Sequence, residues 1–365
     1  MMAVRILVFI AGAAVVLLTL RSAIRTFLVP RALQAHLARI VFVSVRRVFR
    51  LRANNHHTYE QRDRVMAFYA PFSLVALLAT WLLLVLAGFT EMLWGLGNSP
   101  LRFAFTIAGS SMFTLGFEQG KGLATTALSF GAAAIGLMLL ALFITYLPSL
   151  YGAFQRREAG VAKLEVRAGQ PPSGVYLIEL ANQVTGLDRL NELWTAWEDW
   201  FTDVDESHTT FPALVHFRSP HGDHSWVTAA GAVLDGASLF ASSVERPRTP
   251  EPEFMIRAGY LCLRHIADLL HIPVDHDPKP EDPISVTREE FDSAYERLAL
   301  AGVPMRPDRD QAWRDFGGWR VNYDSALTGL ARLTMAPPAP WSSDRFADTH
   351  YIPRAIHFRR RYRRR

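Results

Sequence analysis

The sequence predicts an all-α membrane protein, with three long membrane helices, a short re-entrant helix and loop between the second and third, and a polar helical domain after them. Three observations predict it. Half of the 365 residues are hydrophobic, but the long apolar runs all fall before about residue 155. The net charge of +5 comes from local arginine blocks, above all between the first two runs, rather than from a uniformly basic surface, the mark of a chain oriented in a membrane. After Arg157 the apolar residues recur at helical spacing, and no alternating strand pattern stands out.

The first run, Ile6–Leu20, has no charge but is short. It reaches the roughly 20 residues of a span only by continuing past Arg21 toward Phe27–Pro30, with the arginine snorkelling to the interface. Val65–Thr90 and Leu123–Phe154 contain no charged residue and each exceed that length. Between the first two runs lie Arg21, Arg25, Arg31, Arg39, Arg46, Arg47, Arg50, Arg52, Arg62 and Arg64, against only Glu60 and Asp63. A cleaved signal peptide would leave that block outside, so the positive-inside rule favours a retained span running outside to inside. The second run then goes out, the third returns, and Arg156 and Arg157 follow on the cytoplasmic side. The expectation is a multi-pass protein of the plasma (inner) membrane, its N-terminus outside. Leu33–Arg52 alternates apolar residues with arginines as an amphipathic helix on the inner leaflet would, in contact with anionic lipid. A linker helix packed on the C-terminal domain has the same pattern. The organisation expected is 1–30 first span, 31–64 arginine-rich segment, 65–154 hairpin of spans, 155–340 helical domain, and 341–365 basic tail.

The outer connection, Glu91–Gly122, is too long for a tight turn and too apolar for an exposed loop. Ser99 can cap a helix and Pro100 suits its first position, where no amide donor is needed. Leu101–Met112 then allows about three turns. The run "TLGF" follows at once, and Gly120 and Gly122 release the chain before the next span. Non-helical backbone at membrane depth is tolerated only when protein covers it or it lines a water-filled path.

On these residues, Val65–Phe154 resembles the pore domain of two-transmembrane potassium channels, whose filter signature is Thr-Val-Gly-Tyr/Phe-Gly. Thr114 stands at the threonine, Leu115 at the valine, Gly116 at the first glycine and Phe117 at the aromatic. The resemblance covers this hairpin alone and implies a re-entrant pore helix and filter loop between the second and third of three transmembrane helices; the α-helical cytoplasmic domain that follows lies outside it. The resemblance also implies a homotetramer that conducts K+ or another monovalent cation, with the carbonyls of Thr114, Leu115 and Gly116 facing the ion. The negative end of the Pro100–Met112 helix dipole would face the central cavity. Glu118 departs from the pattern, standing where the second glycine is expected. Positive φ there would cost a residue with a Cβ about 1 kcal/mol or more. Four copies would also place four carboxylates at the mouth, a device that concentrates cations. In the third run Gly136 is a candidate hinge and Pro148 a candidate kink near a cytoplasmic gate. Ordinary helix packing accounts for Gly131 and Gly136 equally well.

The polar half reads as helices over Val175–Thr185, Asp188–Val204, Trp226–Ser242, Phe254–Leu270 and Ala312–Leu333, with a capping box at Thr287–Glu290. Trp226–Ser242 is apolar enough for a fourth span, but Asp235 at its centre opposes that. No glycine fingerprint follows a strand, so no nucleotide-binding regulatory domain of the familiar kind is visible. Asp203–His224 concentrates carboxylates and imidazoles. His208, His221 and His224 are its candidate metal ligands, although the spacing fits no zinc pattern. The same histidines titrate in the range of a pH sensor. Cys262 is the only cysteine, which rules out an intrachain disulfide and suits a reducing compartment. The tail "HFRRRYRRR" suits anionic lipid or simple solvation, and no nucleic-acid-binding module accompanies it. Nothing here points to an enzyme, beyond a metalloenzyme built on the Asp203–His224 cluster, and no cofactor is expected beyond the permeant ion. The alternative function is a non-conducting, membrane-anchored sensor or scaffold whose cytoplasmic helical domain does the work.

Overall fold

The long charge-free runs become long helices. The computed structural model describes residues 2–27, 29, 36–52, 58–97 and 100–346. Within it α1 (Met2–Phe27), α4 (Tyr69–Gly95) and α6 (Leu123–Ala168) are long and apolar enough to cross a membrane; α3 (Tyr59–Ala67) runs directly into α4. α2 (His36–Arg52) follows α1, and α5 (Leu101–Met112) lies between α4 and α6. Ser99, most of 28–35 and the tail from 347 lie outside the described residues. The chain divides into two compact units, one of residues 1–55, 65–152 and 210–217, the other of 56–64, 153–209 and 218–365.

In the first unit α1 takes in Arg5, whose guanidinium donates to the Gly97 carbonyl at 3.4 Å. Pro100 precedes α5 instead of opening it; its ψ of 154° is extended. α1 and α4 cross on glycine. A Cβ on Gly12 would meet the Gly88 carbonyl at 2.4 Å, and one on Gly88 would meet the Gly12 carbonyl at 2.7 Å. Small residues let two backbones approach this closely. Further along, the Trp81 indole donates to Ser22 Oγ at 3.2 Å, and Phe27 stands edge-on to Trp81 at 5.1 Å. Ile107, Ala108 and Met112 of α5 are buried in the same core as Leu86, Phe89 and Leu93 of α4, with Ala132 and Leu139 of α6.

α6 continues to Ala168, well past the expected end at Phe154. Its 46 residues make about 70 Å of helix, more than twice the hydrocarbon thickness of about 30 Å. The helix runs on through Pro148.

The second unit is built around α9 (Trp226–Ser243), nearly every residue of which is buried. It is wrapped by α7 (Gly174–Val184), α10 (Glu251–Leu269), α12 (Arg309–Arg320) and α13 (Asp324–Thr334). α8 (Leu190–Thr210) and α11 (Arg288–Leu300) complete the unit, the latter opened by the expected Thr287–Glu290 capping box. A helix that is apolar all round needs such a coat. α9 is thus a buried helix rather than a fourth span, as the central Asp235 suggests, and that carboxylate has a protein partner. The Arg320 guanidinium pairs with it, and also bonds Asp324 Oδ1 at 2.7 Å and the Trp341 carbonyl at 2.6 Å. Tyr323 donates to Asp235 at 2.9 Å, which leaves Ser238 to donate to the Tyr323 hydroxyl. Burial pushes the Asp235 carboxyl upward, and the adjacent Arg320 charge opposes it. Two charges taken out of water are tolerable only when their remaining donors and acceptors are matched this way.

The single helix expected over Ala312–Leu333 is in fact two. The break has a cause in α10: Arg264 donates to the Asn322 carbonyl at 2.8 Å and to its side-chain oxygen at 3.1 Å. The Asn322 amide in turn caps the carbonyls of Gly318 and Trp319.

Candidate functional site

The loop after α5 is set by the way that helix ends. Thr114 takes a left-handed conformation, φ 56°, and Gly116 another, φ 72°. A β-branched residue with positive φ is strained and persists only where its neighbours fix it. They do so here through Ser110. The Ser110 carbonyl accepts from the amides of Leu115 at 2.8 Å and Gly116 at 3.3 Å, and its side-chain oxygen accepts from the Glu118 amide at 3.1 Å. Ser110 itself is buried.

These three bonds orient the carbonyls. The N–H of one residue and the C=O of the residue before it belong to a single planar trans unit and point in opposite directions. With the amides of Leu115, Gly116 and Glu118 turned toward Ser110, the carbonyls of Thr114, Leu115 and Phe117 point away from α5. That set differs from the expected one by a residue, with Phe117 in place of Gly116. The side chains of Leu115 and Phe117 are 63% and 66% exposed. The expected strain at Glu118 does not arise, since positive φ falls on Thr114 and Gly116 and not on Glu118.

Two glycines in this region have steric duties. A Cβ on Gly120 would overlap the Thr125 methyl at 1.9 Å, and one on Gly136 would meet the Met112 carbonyl at 2.4 Å. Gly136 is therefore where α6 passes the end of α5 with no room for a side chain. Pro148 lies farther along α6 and is exposed; nearby, the Thr145 hydroxyl donates to the carbonyls of Ala141 and Leu142.

The histidines do not converge on a metal centre. Arginine can only donate, so the 3.1 Å contact from Arg157 Nη1 to His208 Nε2 makes Nε2 the acceptor. The proton then sits on Nδ1, which donates to the Val204 carbonyl at 2.9 Å. Burial and the Arg157 charge both push the His208 pKa well below the usual imidazole range, so this histidine is neutral and fully committed. His221 and His224 do adjoin each other, with ring centres 5.1 Å apart, and His224 Nε2 lies 3.1 Å from Glu165. Among the described residues no group of three or more such ligands is placed to hold a metal ion.

Sequence reasoning missed Ser110 and Arg157. A small polar residue in the last turn of α5, four before Thr114, was the available signal for the first. Comparison with known protein families, curated proteins and solved structures finds no match to this chain.

Proposed function

We propose that copies of this chain, four by analogy with the two-transmembrane potassium channels, surround one axis and conduct a monovalent cation past the Thr114–Phe117 loop. The observation that carries this is the Ser110 clamp, which turns three loop carbonyls away from their own helix and leaves them without partners from it. At membrane depth such carbonyls need a ligand, and carbonyls arranged around an axis can replace an ion's water. Glu118 of each copy would add a carboxylate beside the loop and raise the local cation concentration. A second observation fits assembly. Leu123, Phe130, Leu137 and Ile144 are all well exposed on α6 and recur every seven residues, a spacing that suits another helix. In this reading the chain is a multi-pass protein of the plasma (inner) membrane, with residues 155–340 in the cytoplasm and α2 against anionic lipid.

Cysteine cross-linking tests the shared axis, because Cys262 is the only native cysteine and is buried. Phe117→Cys in the intact membrane is expected to give covalent dimers under mild oxidation, while the parent chain stays monomeric on a denaturing gel. Phe117→Cys that remains monomeric would place the loop away from any axis.

A further inference from the structure

The second unit contains a cleft of about 470 Å³ that has no part in the ion path proposed above. Small-molecule sites fall in the range of roughly 300–1,000 Å³. This one is unusual in its charge. Arg246, Arg248, Arg306 and Arg314 line it, against two carboxylates, Glu253 and Asp315. Its walls also carry Phe240 from the end of α9 and Trp319 from α12.

The four guanidiniums are not equally committed. Arg248 is held by Glu253 at 2.5 and 2.9 Å. Arg246 pairs with Asp188 at 2.9 Å, a carboxylate 88% exposed and therefore well screened by water. Arg306 reaches Asp315 only at 3.6 Å, beyond hydrogen-bond range. Among the described residues Arg314 bonds only the neutral Gln311 side chain, at 2.7 and 3.1 Å. Arg306 and Arg314 thus keep donors for a further anion, in the fork geometry that matches phosphate.

The cleft is also held in shape. The two loops that carry Arg246 and Arg306 are joined by backbone bonds, Glu245 to the Pro304 carbonyl at 2.7 Å and Arg306 to the Ser243 carbonyl at 2.8 Å, around a Val244–Met305 bridge. Tyr295 donates to the Arg306 carbonyl. A surplus of arginine held in place beside two aromatic rings recognises negative charge and a flat apolar group together.

We propose that this cleft binds an organic phosphate that carries a planar ring, the chemistry of a nucleoside phosphate. The phosphate lies on Arg306 and Arg314, and the ring lies against Trp319 or Phe240.

The test is titration of the purified full chain in detergent with AMP, GMP and ATP, with adenosine and inorganic phosphate as partial ligands, read by calorimetry. At least one nucleotide is expected to bind saturably, and at least tenfold more tightly than either partial ligand. Arg306→Gln with Arg314→Gln is expected to weaken that binding at least tenfold. Arg314→Gln alone, a change at an exposed side chain bonded only to Gln311, gives the same direction if the double variant does not fold. Trp319→Leu is expected to weaken the nucleotide and leave inorganic phosphate unchanged. Absence of saturable binding by all three nucleotides overturns the proposal, as does full affinity in the folded arginine variants. Adenosine binding as tightly as the nucleotides would remove the phosphate from it, and inorganic phosphate doing so would remove the ring; either result overturns it as stated.

Discussion

Ser110 holds three amides of the candidate loop at once, two on its carbonyl and one on its side chain. The "TLGF" run was legible in the sequence because its residue types are distinctive. The serine was not, because it acts on an amide eight positions away through a loop whose path the sequence does not show. The same holds for His208. Its place in an Asp- and His-rich stretch suggested a metal ligand or a pH sensor. In the structure it is a neutral acceptor for Arg157, a residue 51 positions earlier. Its lowered pKa makes a signed prediction. The unfolded chain takes up the proton near pH 6.5 and the folded chain does not, so stability is full above that pH and falls as acid is added. Between pH 6.5 and 5.5 this group should cost about 1 kcal/mol of the opening free energy of α8, measured by amide exchange. His208→Gln, which can still accept from Arg157, should flatten that slope; an unchanged slope would mean that other groups carry the acid sensitivity.

At the scale of elements, hydropathy was enough for the three long helices, since a span needs some 20 consecutive apolar residues and nothing from elsewhere in the chain. How they pack was less visible. Gly12 and Gly88 looked like ordinary members of apolar runs, but there the backbones of α1 and α4 pass with no room for a side chain. Gly12→Val should lower the melting temperature of the detergent-solubilised protein by an amount equivalent to about 1–3 kcal/mol, the usual cost of forcing atoms into a packed contact. A melting temperature equal to the parent's would show that this crossing does not contribute to stability. The capping box of α11 was readable because every part of it lies within four residues. The division between α12 and α13 was not, because the arginine that holds Asn322 is 58 residues away. α9 shows both sides of the lesson: its helix could be read directly, whereas Arg320, the partner that makes its central carboxylate tolerable, lies 85 residues later.

At the scale of the molecule, the chain joins a membrane-type helical unit to a second helical unit organised around α9. The first would supply an ion path and the second a ligand cleft, and the two proposals stand or fall separately. A chain that binds nucleotides but passes no current would be a membrane-anchored sensor. A chain that conducts but leaves the cleft empty would be a channel controlled in some other way. The most direct measurement is the current itself, recorded from purified protein in a planar bilayer under opposed potassium and sodium gradients. The account predicts cation-selective current, with Glu118→Gly raising the potassium-to-sodium permeability ratio as the carboxylates leave the mouth. No current at any voltage, pH or calcium concentration would contradict conduction, and a current whose ratio is unchanged in Glu118→Gly would contradict the placing of the filter at Thr114–Glu118.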